Sequence, residues 1–288
     1  MPRASYQFEA IGTQWSIDTA EELSESEQQN IAAVVEDFTA VYSRFRGDSL
    51  VCAVRVQAPG TFSFPVSIVE LYGIYETLHS ISGGKINPLV GSSLEQLGYG
   101  ADYSLRQKQP MPAPEFATST LHDTELSVSE PVLLDVGAVG KGYLVDQLAA
   151  LVGESHSEYV VDGSGDIALN TKIPDVIGLE HPLDPSRVIG TVKINHGSLC
   201  ASATNRRAWG DGLHHIIDAT TGRPLETDII ATWAIADRAL ISDALSTGLF
   251  FVSPQVLRAS FGDFTYVIMK RDGSVAHNVA PKIGEIFA

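Results

Sequence analysis

The sequence predicts an α+β fold with largely antiparallel sheets and packed helices. Segments that alternate apolar and polar residues are mixed with segments of helical spacing, without the regular rhythm of βαβ units. Turn-forming stretches join the later strands, including an Arg-Asp-Gly turn across 271–273 that predicts a closing hairpin. The 288 residues are 44% hydrophobic, so the chain can bury a large core as one domain or two.

The first half of the chain is predicted to begin with a strand and continue with two helices. Residues 6–19 alternate like a strand. Apolar spacing predicts a helix over about 24–45, capped by a serine, and a second helix over 66–82 that ends at a Gly-Gly pair. The stretch 106–124 is rich in glutamine and proline, which predicts a long surface loop.

The second half of the chain is predicted to contain more strands than helices. Helices are expected over about 141–151, around Asp243 and near 254–260. The predicted strands, all short and bounded by turn residues, are 131–138, 158–161, 167–169, 187–194, 229–236, 264–270 and 274–279.

Charge and composition exclude several classes of function. The net charge of −16 argues against a nucleic-acid partner and against binding to an anionic membrane. Cys52 and Cys200 have no cysteine or histidine at zinc spacing, so both are expected to pack as small apolar residues. No apolar run is long enough for a membrane span, and no signal-peptide pattern opens the sequence. These features predict a cytoplasmic protein, or an exported one if the sequence is a trimmed piece.

The predicted helix around Asp243 carries a face of small polar residues. Asp243 and Thr247 lie one turn apart on that face. Small neighbours let a ligand approach, and one carboxylate with one hydroxyl suits a hard cation such as Mg²⁺. The alternative is an ordinary solvated aspartate near the start of a helix.

Two glycine-rich segments follow predicted strands. Residues 135–142 contain three glycines and Lys141 at a helix start, where main-chain N–H groups and a partial positive charge favour a phosphate. The alternative is a tight turn with a surface lysine, and the spacing is not that of a P-loop. Residues 162–166 lack a following helix and are interpreted as a plain turn.

A third group of polar residues lies further along the chain. Residues 214–224 contain two histidines, and a histidine of ordinary pKa, about 6.5, can accept a proton from a hydroxyl. The alternative is a histidine at a strand end, with Asp218 capping a turn. Residues 202–207 offer hydroxyls and two guanidinium groups, which suit a phosphate or equally a solvated loop.

Taken together, six segments resemble the ApbE family, the FAD:protein FMN transferases, in both order and spacing. The matching segments are 12–17, 43–49, 87–91 with 98–100, 135–146, 215–218 with 221–224, and 242–247. The chain departs from the family pattern at Asn87, Leu89 and Ala219, where the family has aspartate, threonine and proline. Arg223 breaks a partial likeness to the acceptor pattern, so self-flavinylation is not predicted.

The resemblance implies a fold, a metal and a reaction. It implies one ApbE-like flavin transferase domain over 1–288 with a T-fold-related architecture. It implies Mg²⁺ held by the main-chain carbonyl of Ala138 and the side chains of Asp243 and Thr247. The implied reaction cleaves FAD, passes FMN to a Thr or Ser hydroxyl of an acceptor protein through a phosphoester bond, and releases AMP.

The resemblance also implies roles for individual residues. His215 is the predicted base for the incoming hydroxyl, with Asp243 as its rival. The residues expected to line the FAD site are Asp135, Lys141, Asp166, Ser202, Thr204, His215 and Asp218. Trp15 or Tyr99 is expected to pack against the flavin or the adenine. Two alternatives stay open: an FAD pyrophosphatase, in which water replaces the acceptor, and a flavin-binding protein without catalysis.

Overall fold

The computed structural model describes residues 3–210 and 212–287. The helices among these residues are α1 (Glu25–Tyr42), α2 (Leu50–Gln57), α3 (Ser67–Ile81), α4 (Gly91–Gln96), α5 (Gly140–Gly153), α6 (Ala239–Gly248) and α7 (Pro254–Phe261). The strands are β1 (Ala4–Ala10), β2 (Thr13–Thr19), β3 (Gly60–Ser63), β4 (Ser119–His122), β5 (Glu125–Val128), β6 (Tyr159–Asp162), β7 (Asp166–His181), β8 (Asp184–Ala203), β9 (Ala208–Trp209), β10 (Leu213–His214), β11 (Ile217–Asp218), β12 (Arg223–Pro224), β13 (Ile229–Ala236), β14 (Thr265–Lys270), β15 (Val275–His277) and β16 (Gly284–Ile286).

The chain forms two compact units that alternate along the sequence. Unit 1 contains the residues up to Val35, Ala138–Arg206 and the residues from Thr227 onward. Unit 2 contains Glu36–Gly137 and Arg207–Glu226. One unit boundary therefore falls inside α1, and another falls directly before Ala138.

Unit 1 is built on one nine-stranded sheet. Its strand order is β1-β2-β6-β7-β8-β13-β14-β15, and β16 also pairs with β8. Every pairing is antiparallel, including the long β7–β8 hairpin at the centre. The predicted α+β class with a largely antiparallel sheet is therefore confirmed.

Alternation along the central strands of unit 1 gives the sheet two different faces. One face is an apolar core that includes Leu169, Leu199 and Trp233. Residues at the alternate positions point to the other face and are mostly polar. Four of them are buried, namely Asp166, Ser198, Cys200 and Thr232, and Ser202 is half-buried. This second face packs against α6, whose residues bond to Ser198, Ser202 and Thr232.

Unit 2 combines α2, α3 and α4 with a three-stranded antiparallel sheet in the order β3-β5-β4. Two short ladders, β9–β10 and β11–β12, complete it. The turn between β11 and β12 needs a glycine at 222, because φ there is +65° and a Cβ would lie 1.9 Å from the Met111 carbonyl oxygen.

Several sequence predictions of local structure are confirmed and others are wrong. The helices predicted over 66–82 and 141–151 agree with α3 and α5. The single strand predicted over 6–19 is a hairpin, because Ile11 and Gly12 both take positive φ and reverse the chain.

The predicted strand over 131–138 does not pair in a sheet, although its apolar residues are buried. Instead its main chain bonds to loops: Gly91 N donates to Leu133 O at 3.1 Å, and Asp135 N donates to Pro88 O at 2.7 Å. α2 was not predicted. Among the described helices, none has the length and apolar character needed to cross a bilayer.

Candidate active site

Asp243 lies where α5 and α6 pack against each other in unit 1. Its Oδ2 accepts a hydrogen bond of 2.9 Å from the main-chain N–H of Gly142, and the residue is only 4% exposed. A Cβ at Gly142 would lie 2.3 Å from the Ala239 carbonyl oxygen and 2.7 Å from Asp243 Cβ. Only glycine permits this approach of the two helices. The alternative of a solvated aspartate is therefore wrong.

Thr247 follows Asp243 by one turn on the same face of α6 and is half-buried. Its Oγ1 lies 3.5 Å from Ser202 Oγ, and Ser202 Oγ is 2.8 Å from Ser246 Oγ. The predicted pairing of a carboxylate and a hydroxyl on one helix face is present. Ser202, which we expected at the FAD site, also ties β8 to α6.

The oxygen donors of unit 1 fit a hard divalent cation. Ala138 precedes α5, four residues before the Gly142 N–H that meets Asp243. Among the described residues, no group of three or more His, Cys, Asp or Glu side chains is placed to hold a metal ion. An ion bound by Asp243 would therefore rely on hydroxyl, carbonyl, phosphate and water oxygens, a set that Mg²⁺ accepts.

Lys141 is held in a buried ion pair. Its Nζ lies 2.9 Å from Asp166 Oδ2 and donates to Gly163 O at 3.0 Å. Asp166 is fully buried, and no described residue donates a well-aligned hydrogen bond to its Oδ2. The negative charge of this carboxylate is therefore balanced by the ammonium group of Lys141. Burial opposes the charged form of Lys141, but Asp166 and Asp243 outweigh burial and raise its pKa. The surface-lysine alternative is wrong.

The 162–166 segment forms the plain turn that the sequence predicted. Asp162 Oδ1 accepts from Gly165 N at 2.8 Å, and φ of Gly165 is +95°. A Cβ at Gly163 would lie 2.8 Å from the Trp15 ring, so this turn packs closely over the indole. Trp15 is only 2% exposed, so the prediction that its ring packs against a ligand is wrong.

In unit 2, Asp135 is paired with a buried arginine. Arg44 Nε donates to Asp135 Oδ2, and Nη1 donates to Tyr99 O at 2.7 Å. Asp135 Oδ1 accepts from Gly137 N at 2.7 Å. Burial opposes ionisation of Asp135, but the Arg44 charge and the Gly137 N–H outweigh it and lower the pKa of Asp135. Asp135 is thus an ionised residue that fixes the turn before Ala138.

Sequence reasoning missed Arg44 and misjudged Tyr99. Arg44 lies between Ser43 and Phe45 in the 43–49 segment that resembles the family. This position was the only feature of the sequence that pointed to a role for Arg44. Its guanidinium lies 4.1 Å from the Phe45 ring centroid and 4.9 Å from that of Tyr99. The Tyr99 ring also stacks on the Trp209 ring at 5.1 Å and meets the rings of Phe45 and Tyr103 edge-on. Tyr99 is therefore a core residue, and the prediction that it packs against a ligand is wrong.

His215 follows β10 in unit 2 and is a neutral imidazole at neutral pH. Burial, together with the positive charges of Arg207 and His214, lowers the pKa of His215 to about 3. Its Nδ1 is buried without a hydrogen-bond partner among the described residues. The neutral ring has a nitrogen that can accept a proton, as a general base requires, and its pKa of about 3 makes it a weaker base than an ordinary histidine.

Two other predicted site residues have clear local partners. Asp218 Oδ1 accepts from Thr220 N at 2.9 Å and from Thr220 Oγ1 at 2.6 Å, the turn-capping arrangement that was the alternative for this residue. Thr204 N donates to Ile230 O at 3.1 Å in unit 1. The FAD contacts expected for both residues stay predictions.

A set of hydroxyl contacts between α6 and the sheet was not anticipated. Ser198 Oγ and Ser242 Oγ are 2.8 Å apart, and Thr232 Oγ1 donates to Ser246 O at 2.6 Å. The small polar face of α6 was interpreted as space for a ligand. Much of that face instead allows the helix to lie close to β8 and β13.

These elements define an α+β protein in which α6 carries a buried carboxylate, Asp243, and a hydroxyl one turn later, Thr247. α6 packs against α5, which follows a glycine-rich turn. The chain belongs to the ApbE family, whose model matches residues 11–262. It is similar to the FAD:protein FMN transferase of Escherichia coli, with 28% identity over 227 residues, covering 71% of this chain and 62% of that protein.

Further comparisons agree with the family. The FAD:protein FMN transferase of Treponema pallidum is 29% identical over 264 residues, covering 76% of this chain and 71% of that protein. The crystal structure of the ApbE protein from Thermotoga maritima superposes with a TM-score of 0.84 at 21% identity. That comparison covers 96% of this chain and 97% of the other, so the two proteins share the fold throughout.

Proposed function

We propose that this chain is a Mg²⁺-dependent FAD:protein FMN transferase. The hydroxyl oxygen of a Thr or Ser on an acceptor protein attacks the FMN phosphorus of FAD, the bond to the bridging oxygen breaks, and AMP leaves with that oxygen. The proton of the hydroxyl passes to a base. The observation that carries the proposal is the buried Asp243 beside the start of α5, with Thr247 one turn later. The chain is also similar to proteins that bear this activity in their names.

In this proposal the residues of unit 1 hold the metal. The carbonyl of Ala138, the carboxylate of Asp243 and the hydroxyl of Thr247 would bind Mg²⁺, which supplies positive charge to the diphosphate. Asp243 is already oriented by the Gly142 N–H, which leaves little freedom for its carboxylate. Lys141 and Asp166 add a buried ion pair next to this carboxylate.

We further propose that seven residues contribute to FAD binding. Those that belong to unit 1 are Lys141, Asp166, Ser202 and Thr204. Those that belong to unit 2 are Asp135, His215 and Asp218. The ionised Asp135 and the capped Asp218 turn hold their own segments rigid, which supports a role in shaping the site.

His215 is the proposed base, and its replacement by Gln should slow transfer. Loss of a general base costs about 10²–10⁴-fold in rate, so kcat should fall by that factor, a larger effect than the loss of one FAD contact has on FAD affinity. Because the pKa of His215 is about 3, its ring stays neutral well below pH 6.5. The pH profile of kcat/KM, which reports the free enzyme, should therefore lack a His215-dependent acid limb near pH 6.5.

The lowered pKa of His215 also predicts how the stability of the folded chain changes with pH. The unfolded chain binds a proton at His215 below about pH 6.5, whereas the folded chain does so only near pH 3. Stability should therefore fall as the pH drops from 6.5 towards 3, and His215→Gln should weaken that dependence. Unchanged kcat in the variant would assign the base to Asp243 or another group. An acid limb near pH 6.5 that vanishes in the variant would show instead that the pKa of His215 is not lowered.

One assay separates the proposed function from its alternatives. The purified chain is incubated with FAD and Mg²⁺, with and without a protein that carries a Thr or Ser flavinylation motif. A transferase should label the acceptor covalently, visible as flavin fluorescence in a denaturing gel, with one AMP released per FMN attached. Rapid AMP release without acceptor would indicate a pyrophosphatase, and intact FAD would indicate a binding protein without catalysis.

A further inference from the structure

Two contacts on one face of α5 hold the first half of α6. The first is the Gly142 N–H on Asp243 Oδ2, at a point where a Cβ would lie 2.3 Å from the Ala239 carbonyl oxygen. The second involves Asp146, which follows Gly142 by one turn on the same face of α5. Helices in such direct contact move together, so the position of α6 depends on both contacts.

Asp146 caps the N-terminus of α6 from a different helix. Its Oδ1 accepts from Ala239 N at 2.7 Å, and its Oδ2 accepts from Leu240 N at 3.2 Å. The first N–H groups of a helix have no partner within the helix. The residue at the N-cap position, Arg238, makes no side-chain cap, and its Nε lies 3.2 Å from Asp146 Oδ2. The Asp146 carboxylate is therefore the side-chain cap of α6.

The metal-binding residues of the proposed function lie one and two turns beyond this cap. Asp243 follows Ala239 by one turn, and Thr247 follows it by two. α6 has only 10 residues, so a shift at its first turn moves both side chains. The Asp146 side chain is 13% exposed, and it bonds to Arg238, Ala239 and Leu240 at the start of α6.

We propose that Asp146 is a positioning residue for metal binding: by capping α6 from α5, it sets where Asp243 and Thr247 present their oxygens. This inference rests on the proposed function, because it concerns the same metal. In this role Asp146 would bind neither the ion nor the substrate itself. It acts through the helix that carries the ligands.

The test compares the Mg²⁺ requirement of Asp146→Ala and Asp146→Asn with that of the unmodified chain. Loss of a group that orients a metal ligand costs about 10–100-fold in metal affinity. The Mg²⁺ concentration that gives half-maximal AMP release should rise by that factor in Asp146→Ala, while saturating Mg²⁺ restores most of the rate. Asp146→Asn should be intermediate, because its remaining oxygen accepts one of the two N–H groups.

A readout without turnover and a matched control complete the experiment. Mn²⁺ binding in the presence of ADP, followed by electron paramagnetic resonance, should weaken in the same order as the Mg²⁺ requirement rises. Ser253→Ala removes the cap of α7, where Ser253 accepts from Val256 N, and serves as the control for loss of a helix cap in the same unit. It should lower the melting temperature without changing the metal requirement.

Each outcome bears on one proposal or the other. If the folded Asp146→Ala and Asp146→Asn chains keep the wild-type Mg²⁺ requirement and Mn²⁺ binding, the positioning role is wrong and the proposed function stands. The positioning role is also wrong if the Mg²⁺ requirement of the Asp146 variants rises no more than that of Ser253→Ala. If Asp146→Ala does not fold, Asp146→Asn decides alone. If the unmodified chain shows no Mg²⁺ requirement at all, the proposed function fails, and this inference fails with it.

Discussion

Replacing Asp243 by Asn should abolish most of the Mg²⁺-dependent reaction while leaving the fold intact. The amide oxygen of Asn can still accept the 2.9 Å hydrogen bond from Gly142 N, so the contact between α5 and α6 survives. The charge that would hold the cation is lost. A loss of about 4 kcal/mol in stabilisation of the transition state corresponds to roughly a 10³-fold lower rate.

The measurement is AMP release at several Mg²⁺ concentrations, with thermal unfolding as the check on folding. Asp272→Asn is the matched control, since Asp272 caps an exposed turn where it accepts from Ser274 N at 2.9 Å. That variant should behave like the unmodified chain in the rate assay. An Asp243→Asn chain with normal activity would remove the proposed metal site and the mechanism built on it.

Replacing Lys141 by Met should destabilise the protein more than any surface charge change. The substitution keeps a long side chain but leaves the fully buried Asp166 carboxylate without the cation 2.9 Å away. Removing one partner of a buried ion pair costs about 3–5 kcal/mol, because the remaining charge is uncompensated. Urea unfolding followed by circular dichroism measures the loss, and the double variant with Asp166→Asn should recover part of it.

An exposed ion pair of nearly the same length provides the control. Lys172 Nζ lies 2.8 Å from Glu158 Oε1, but the Lys172 side chain is 79% exposed. Exposed pairs contribute little, because water screens them and the side chains lose freedom in pairing. Lys172→Met should therefore have a much smaller effect than Lys141→Met. Equal losses in the two variants would show that the Lys141 pair contributes no more than a surface contact.

The sequence predicted those features of the site that depend on local spacing. Asp243 and Thr247 share a helix face because they are four residues apart, and helical spacing alone is enough to see this. The strand over 229–236 was predicted at its observed bounds, because a strand that is apolar along its length has a clear local signal. In both cases the signal in the sequence lies within a few neighbouring residues.

Features that depend on distant partners were not predicted. Asp243 bonds to a residue 101 positions earlier in the chain, and Ser202 contacts α6 across 44 positions. The apolar run over 131–138 has the composition of a strand, but its main chain bonds to separate loops. Periodicity reports how a segment is buried, not which segment covers it. The burial of Trp15 under Gly163 was missed for the same reason.

The contact between Gly142 and Asp243 places different constraints on its two positions during evolution: packing limits position 142, and the metal-binding role proposed for the carboxylate limits position 243. Position 142 must lack a side chain for the helices to approach, whether or not the protein is active. Position 243 can take any residue that accepts the Gly142 N–H once the carboxylate charge is no longer under selection. A homologue that has lost its chemistry should therefore keep the glycine and drift at the aspartate. A carboxylate at 243, more than glycine at 142, is the feature by which active descendants of this fold should be recognised.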